Sequence, residues 1–296
     1  MDRVNLSSAL EFSRIIYGMW RLADDANTSI KHIDAKINSC LDQGITTFDQ
    51  AAVYGLYTSE SLFGQTLKAN PSLRNEMEIV TKCGIVVPSN KYPNIQIAHY
   101  DTSREHITAS VDASLTNMST DYIDLLLVHR PDPFMDHRET GSALDDIVSS
   151  GKVRAVGVSN FKPWDWNLLQ SVMKTQLVTN QIELSLAFHE PFTNGDLAFH
   201  QQNSTHVMAW SPLGGGSLMK NTGELGLVMD KVAAHHNVDR AAVAVAWILA
   251  HPANIIPVMG TNNLDRITKI SDAIKVKMDR YTWFLLYTAA LGRDIP

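Results

Sequence analysis

Eight short apolar runs, rich in β-branched residues, recur along the whole chain and constrain its fold more than any other feature. Each run is too short for a stable helix and is typical of a strand that is buried on both faces. The runs are Ile15–Tyr17, Ile45–Phe48, Met77–Thr81, Ile123–Val128, Val153–Val158, Leu177–Asn180, His206–Ala209 and Ile255–Val258. Buried strands that alternate with other segments in this way predict a parallel sheet.

The segments between these runs carry apolar residues at helical spacing. Residues 28–43 contain one such stripe, made of Ile30, Ile33, Ile37 and Leu41. Ser29 is placed to cap this helix and Gly44 to end it. Further helices are predicted over Ser103–Thr116, over Lys162–Thr175 and, as a pair, within Thr222–His251.

Strands and helices that alternate eight times in 296 residues predict a (β/α)₈ barrel, or TIM barrel, as a single domain over residues 1–296. A doubly wound open sheet is the alternative. It would be favoured by a GxGxxG turn after the first strand, and that turn is absent. The longest irregular stretch, from Gly84 to Thr102, predicts a functional loop.

Charge and cysteine content limit the partners and the compartment. Acidic residues outnumber basic ones 31 to 25 and no Lys/Arg run occurs, so we expect neither nucleic acid nor a membrane surface as a partner. Cys40 and Cys83 are too few for a disulfide framework or a four-ligand zinc site. Residues 1–11 have no apolar signal core, and no stretch approaches the roughly 20 apolar residues that span a bilayer. We therefore expect a soluble, cytoplasmic protein.

Polar side chains stand where three of the predicted strands end. Asp49 follows the second strand, Lys82 the third and His129 the fourth, while Tyr54 lies shortly after Asp49. Catalytic groups of such a barrel come from the carboxyl ends of its strands, so we expect these four to meet at one rim. A phenol that an ammonium and a carboxylate tune can act as a proton donor, and an imidazole can orient a carbonyl oxygen. Ordinary salt-bridging or capping is the alternative for any one of them.

Six motifs, in order along the chain, resemble the aldo-keto reductases. They are GITTFDQAAVYGLYTSESLFG at 44–64, EIVTKCG at 78–84, DLLLVHRPDP at 124–133, GKVRAVGVSNF at 151–161, NQIELS at 180–185 and AWSPLGGG at 209–216. The ordered set is far more specific than any single motif. FSRIIYGMWRL near the start and WFLLYTAALGRDIP at the end further resemble a bacterial subgroup of uncharacterised oxidoreductases in that family.

The resemblance implies a (β/α)₈ oxidoreductase that moves a hydride between a nicotinamide cofactor and a small aldehyde or ketone, without a metal. It implies Tyr54 as general acid, with Lys82 and Asp49 lowering its pKa and His129 orienting the carbonyl. It also implies positions that bind the cofactor. Ser159, Asn160 and Gln181 would bind the carboxamide, and Trp210 would stack on the nicotinamide, where the family usually has Tyr. Ser211, Leu213 and Gly215 would bind the pyrophosphate through backbone N–H donors, and Gly260, Thr261 and Arg266 would bind the 2′-phosphate.

The sequence departs from the family pattern at the 2′-phosphate site. Much of the family has a Lys-Ser pair there, followed by Arg. Gly260 and Thr261 take the place of the pair, and Arg266 keeps its place. One Arg and the amides of a helix N-terminus can still hold a phosphate, so NADP(H) is the expected cofactor and NAD(H) the alternative.

Several expectations concern the substrate side. Trp20 is expected either to line the substrate pocket or to be a core aromatic, and loop 84–102 and residues 130–135 are expected to form the specificity walls. Two other functions stay open. Lys82 could form a Schiff base in a lyase or aldolase, although Asp49 would keep its amine charged. The chain could also be a cofactor-sensing regulatory subunit without significant turnover.

Overall fold

The computed structural model describes residues 1–295. In chain order its strands are β1 (Arg3–Ser7), β2 (Leu10–Ser13), β3 (Ile16–Gly18), β4 (Thr47–Asp49), β5 (Glu78–Cys83), β6 (Ile85–Val86), β7 (His99–Tyr100), β8 (Ile123–Val128), β9 (Val153–Ser159), β10 (Leu177–Glu183), β11 (His206–Trp210) and β12 (Ile256–Met259). Its helices are α1 (Ile30–Leu41), α2 (Ser59–Ala69), α3 (Arg104–Met118), α4 (His137–Ser149), α5 (Pro163–Gln170), α6 (Asp196–Gln202), α7 (Glu224–His236), α8 (Arg240–Leu249), α9 (Leu264–Ile267) and α10 (Arg280–Leu291).

Eight of the strands form a closed parallel barrel. Around the barrel they follow the order β3, β4, β5, β8, β9, β10, β11 and β12, and β12 pairs with β3 to close it. These are the eight strands that the apolar runs predict, and the prediction of a (β/α)₈ barrel is confirmed. The closed order excludes the open-sheet alternative. Every carboxyl end points to the same rim because all eight strands are parallel.

The amino-terminal hairpin β1–β2 covers the opposite end of the barrel. Phe12 is fully buried in the cluster of side chains that fills the barrel interior. The Arg3 guanidinium donates to Thr46 Oγ1 at 2.8 Å and to Glu78 at 2.6 Å, which ties the hairpin to the starts of β4 and β5. The barrel is therefore a packed core with one functional rim.

The helices follow the predicted pattern with two changes: α5 ends at Gln170 instead of Thr175, and α1 buries a different face. Ser29 caps this helix as predicted, since its hydroxyl accepts from the His32 amide at 3.4 Å. The predicted stripe is rotated, however: Ile30 is 42% exposed. The buried face consists of Ile33, Lys36, Ile37 and Cys40. Lys36 is buried because its ammonium bonds to Asp25 and Asn262, which lie in two loops. The spacing of apolar residues along a helix does not reveal such partners.

Loop 84–102 has a short ladder of its own, in which β6 and β7 pair antiparallel. The Tyr57 hydroxyl accepts from the Val87 amide at 3.0 Å and donates to the Ile85 carbonyl at 3.3 Å. The loop is therefore anchored beside the turn that carries Tyr54. Across residues 1–295, we find no helix with the length and apolar character needed to cross a bilayer.

Candidate active site

Three strand ends and one turn bring four polar side chains together at the carboxyl rim of the barrel. Asp49 is the last residue of β4, Lys82 lies one residue before the end of β5, and His129 directly follows β8. Tyr54 lies in the turn between β4 and α2, where its amide donates to the Ala51 carbonyl at 3.0 Å. This turn folds the phenol back over the end of β5.

The Lys82 ammonium is the centre of this group. It donates to Asp49 Oδ2 at 2.7 Å, to the Gln50 carbonyl at 2.8 Å and to the Tyr54 hydroxyl at 3.0 Å. These three bonds use all three of its donors. Lys82 is 1% exposed and Asp49 2% exposed, so the ion pair is shielded from water and its attraction is stronger than at the surface.

The pKa of the Tyr54 phenol is raised above its ordinary value. Burial is the largest cause; the Lys82 ammonium lowers this pKa and the Asp49 carboxylate raises it. The net direction is opposite to the lowering expected from the sequence, because the cost of desolvating a phenolate outweighs the attraction of the ammonium. The phenol is therefore protonated at neutral pH, which is the form that can donate a proton.

The amine of Lys82 is also held in its protonated form. Burial lowers its pKa, but Asp49 and Tyr54 raise it by more, and the net shift is upward. A protonated amine is not a nucleophile, so this environment opposes the Schiff-base alternative.

The imidazole of His129 lies beside the Tyr54 ring, with 5.9 Å between the ring centroids. Burial, and then the charges of Lys82 and Arg130, hold the pKa of His129 well below its usual value. The imidazole is therefore neutral at physiological pH. Its Nδ1 is buried and has no hydrogen-bond partner within residues 1–295. A neutral imidazole beside a phenol can orient a carbonyl oxygen without adding charge.

A second polar cluster joins this group at the ends of β9, β10 and β11. Gln181 Nε2 donates to Asp49 Oδ1 at 2.9 Å. The Asn160 side chain donates to Ser159 Oγ at 2.8 Å and accepts from Trp210 Nε1 at 2.9 Å. The four residues that the resemblance assigns to the nicotinamide end thus form one neighbourhood beside the ion pair.

The resemblance assigns Trp210 to the position where the family usually has tyrosine. Its ring is partly exposed, and its N–H donates to Asn160 Oδ1 at 2.9 Å, which holds the indole in place. A flat aromatic face beside amide and hydroxyl groups suits an aromatic carboxamide such as nicotinamide. The residues present therefore fit this end of the cofactor.

The loop after β11 differs in part from expectation. Gly214, Gly215 and Gly216 all have positive φ, of 57°, 64° and 97°. A Cβ added at Gly215 or Gly216 would meet no atom within 4 Å, so a pyrophosphate could approach the backbone closely. The three amides, however, donate to Ser211 and Leu213 within the loop. The N–H donors expected from the sequence are thus already bonded, and the glycines provide access instead.

The proposed 2′-phosphate residues lie on the loop after β12. A Cβ added at Gly260 would be 3.1 Å from the Gly18 carbonyl oxygen, so a lysine here would crowd the end of β3. Thr261 follows directly, and Arg266 is exposed on α9. The Arg266 amide donates to Asn263 Oδ1 at 3.0 Å. This amide is therefore engaged, whereas the exposed guanidinium can meet a phosphate.

Three residues complete the description of the rim. Trp20 is 61% exposed, which excludes the core alternative for this residue. Arg130, expected as a specificity wall, lies with its guanidinium carbon 5.8 Å from the centre of the Trp210 ring. Glu183, at the end of β10, has no predicted role; burial raises its pKa, Arg130 lowers it by less, and the net shift is upward. The one sequence feature that could have pointed to Glu183 as a residue of the rim is its position two residues after Gln181 on the same strand.

Neither a metal site nor a reactive thiol accompanies this arrangement. No group of three or more His, Cys, Asp or Glu side chains in the part of the chain that the structure describes could hold a metal ion. Burial raises the pKa of the Cys83 thiol, next to Lys82, to about 12. The thiol therefore stays protonated and unreactive.

Comparison with known proteins identifies the family. Residues 14–286 match the Aldo/keto reductase family. The chain is 57% identical over 296 residues to a 6-dehydroglucose reductase of Agrobacterium fabrum (strain C58 / ATCC 33970), covering 100% of both proteins. It is 44% identical over 301 residues to the uncharacterized oxidoreductase YcsN of Bacillus subtilis (strain 168), again covering 100% of both.

A solved structure supports the fold independently. The glycerol dehydrogenase AKR11B4 from Gluconobacter oxydans superposes with a TM-score of 0.85 at 22% identity, covering 100% of this chain and 98% of that one. At this identity the likeness establishes the barrel alone. With the family match and the oxidoreductase relatives, the chain belongs to the aldo/keto reductase family and is an NAD(P)H-dependent oxidoreductase.

Proposed function

We propose that this protein is an NADPH-dependent reductase of aldehydes and ketones in which Tyr54 is the general acid. The observation that carries the proposal is the Lys82 ammonium, bonded to the Tyr54 hydroxyl at 3.0 Å and to Asp49 at 2.7 Å. When Tyr54 gives its proton to a carbonyl oxygen, negative charge develops beside a fixed positive one, which stabilises the transition state. Neutral His129 orients the carbonyl oxygen, and Asp49 holds the ammonium in place.

The cofactor residues follow from the same proposal. When bound, the reduced nicotinamide supplies the hydride that a carbonyl carbon takes up. Trp210 would stack on its ring, and Ser159, Asn160 and Gln181 would hold its carboxamide. Trp20 lines the substrate side of the rim. Ser211, Leu213 and Gly215 would hold the pyrophosphate, and Gly260, Thr261 and Arg266 would lie at the 2′-phosphate.

We expect the protein to prefer NADPH, with a KM at least about tenfold lower than that for NADH. A charged hydrogen bond such as one from Arg266 to a phosphate contributes about 1.5–3 kcal/mol. The measurement is a panel of aldehydes and ketones assayed with both cofactors in parallel. Equal use of NADH would contradict the preference. Tight cofactor binding without turnover of any carbonyl compound would favour the regulatory-subunit alternative.

We further propose a small polyhydroxylated aldehyde as the substrate class. One support is the 57% identical relative, named a 6-dehydroglucose reductase, which aligns over its full length. A second is the charge of Arg130, which lowers the pKa of both Tyr54 and His129 and therefore lies near the reacting groups. A guanidinium has five N–H donors, and substrate hydroxyls can accept hydrogen bonds from them. A plain alkyl aldehyde has only its carbonyl oxygen as an acceptor, and that oxygen is the one that receives the proton from Tyr54.

The Arg130→Met variant is expected to lower kcat/KM for glyceraldehyde by about 10-fold or more, and for propanal by less than about threefold. The reason is that hydroxyl recognition is lost and the proton donor is kept. Steady-state kinetics with both aldehydes measure the difference, and Arg138→Met, exposed on α4, is the matched control. An equal loss for both aldehydes would assign Arg130 to the chemical step instead.

A further inference from the structure

Lys36 is fully buried in α1, although the proposed reaction does not use it. Its side chain is 0% exposed, and its ammonium donates to Asp25 and, at 3.1 Å, to Asn262 Oδ1. An ammonium taken out of water costs free energy that an apolar side chain of similar size would not. The charge therefore stands where Leu or Met would pack more easily, beside two loops of the carboxyl rim.

Asp25 anchors this ammonium from the loop after β3. Its carboxylate also accepts from the Asn27 amide at 3.2 Å and lies 3.2 Å from His32 Nε2. Partial burial raises the pKa of Asp25, but the bond from Lys36 and the Asn27 amide lower it by more. The carboxylate is thus ionised at neutral pH, and the pair is a fixed structural element.

Asn262 links the Lys36 ammonium to the loop after β12. Its Oδ1 accepts from Lys36, and its Nδ2 donates to the Arg21 carbonyl at 2.6 Å. The next residue towards the strand is also held, because the Tyr17 hydroxyl donates to the Thr261 carbonyl at 2.7 Å. Both ends of the Asn262 amide are therefore used to join this loop to the loop after β3.

We propose that Lys36 is a positioning residue for the 2′-phosphate of NADP(H) and acts through Asn262. The inference rests on the proposed cofactor. Gly260 stands where many family members have a lysine, and the buried ammonium of α1 fixes the loop without reaching its surface. With Asn262 held, the loop that leads to Arg266 is fixed, which lowers the ordering cost of binding a phosphate there.

The test compares affinities of the Lys36→Met variant for NADP⁺ and NAD⁺, measured by quenching of protein fluorescence. We expect the Kd for NADP⁺ to rise about tenfold and the Kd for NAD⁺ to change less than about twofold, because NAD⁺ lacks the 2′-phosphate. A lysine that only stabilised the fold would leave the ratio of the two Kd values unchanged. Lys31→Met, exposed on the same helix, is the matched control and keeps the wild-type ratio.

Two more variants distinguish the link through Asn262 from the charge of Lys36 itself, and from a loss of folding in the Lys36→Met variant. Asn262→Ala keeps the ammonium and breaks its link to the loop, so it is expected to lose the same selectivity. Retained selectivity in that variant would overturn the role of Asn262. The double variant Asp25→Asn/Lys36→Met leaves no unpaired buried charge if the single variant folds poorly, and it is expected to show the same ratio.

The affinities of the wild-type protein for NADP⁺ and NAD⁺ distinguish a failure of the proposed cofactor from a failure of the proposed role of Lys36. Equal affinity for NADP⁺ and NAD⁺ would overturn the proposed cofactor and the role of Lys36 together. A selective wild type whose Lys36→Met variant keeps the full ratio would overturn the role of Lys36 alone.

Discussion

Replacing Tyr54 by Phe is expected to lower kcat for carbonyl reduction by about 10²–10⁴-fold and to change the Kd for NADPH by less than about twofold. The substitution removes the hydroxyl that accepts from Lys82 at 3.0 Å and keeps the ring that packs beside His129. Without that hydroxyl no acid stands beside the buried ammonium. Steady-state kinetics measure the turnover, and fluorescence titration measures the affinity.

The control for this variant is Tyr281→Phe, which deletes a phenol hydroxyl from a residue that is 76% exposed on α10. Its turnover should equal that of the wild type. Full activity of Tyr54→Phe would assign the acid role to another group. The raised pKa of Tyr54 adds a pH criterion: wild-type reduction should decline only on the alkaline side, as the phenol loses its proton.

The Lys82→Met variant is expected to lose both turnover and stability. Removing the ammonium leaves Asp49 buried, with Gln181 as its remaining side-chain partner within residues 1–295. An unpaired buried carboxylate costs about 3–5 kcal/mol in the free energy of unfolding. Turnover should fall by at least about 10²–10³-fold, because the developing phenolate loses its stabilising charge. Urea denaturation and steady-state kinetics give the two quantities.

A double variant separates these two losses. Asp49→Asn/Lys82→Met removes both charges, so it is expected to recover most of the stability and none of the turnover. Recovery of turnover would contradict the electrostatic role of Lys82. The control is Lys152→Met, which breaks an exposed pair with Asp112 and should change stability by less than about 1 kcal/mol.

The barrel could be predicted from the sequence because its strands are buried on both faces. Such strands contain continuous apolar runs, as in Leu125–Val128, and the residue at the end of each run stands at the rim. The meeting of Asp49, Lys82 and His129 then follows from parallel geometry alone. No knowledge of side-chain contacts is needed for that step.

Other features depend on contacts between distant segments and could not be predicted. The inward turn of Lys36 needs Asp25 and Asn262, which lie in two different loops. The direction of the Tyr54 pKa depends on how deeply the phenol is buried, which spacing does not reveal. The hairpin β1–β2 was missed because its strands are short and mix buried with exposed residues, so neither strand forms a continuous apolar run.

The hairpin across the far end of the barrel has a kinetic consequence. Phe12 and its neighbours fill the barrel at the end opposite the carboxyl rim, so small molecules cannot pass through the barrel. We therefore expect the dinucleotide, the carbonyl compound and the alcohol product all to enter and leave at the carboxyl rim. The molecule that binds deeper at this rim is then expected to bind first and to leave last, which predicts an ordered kinetic mechanism.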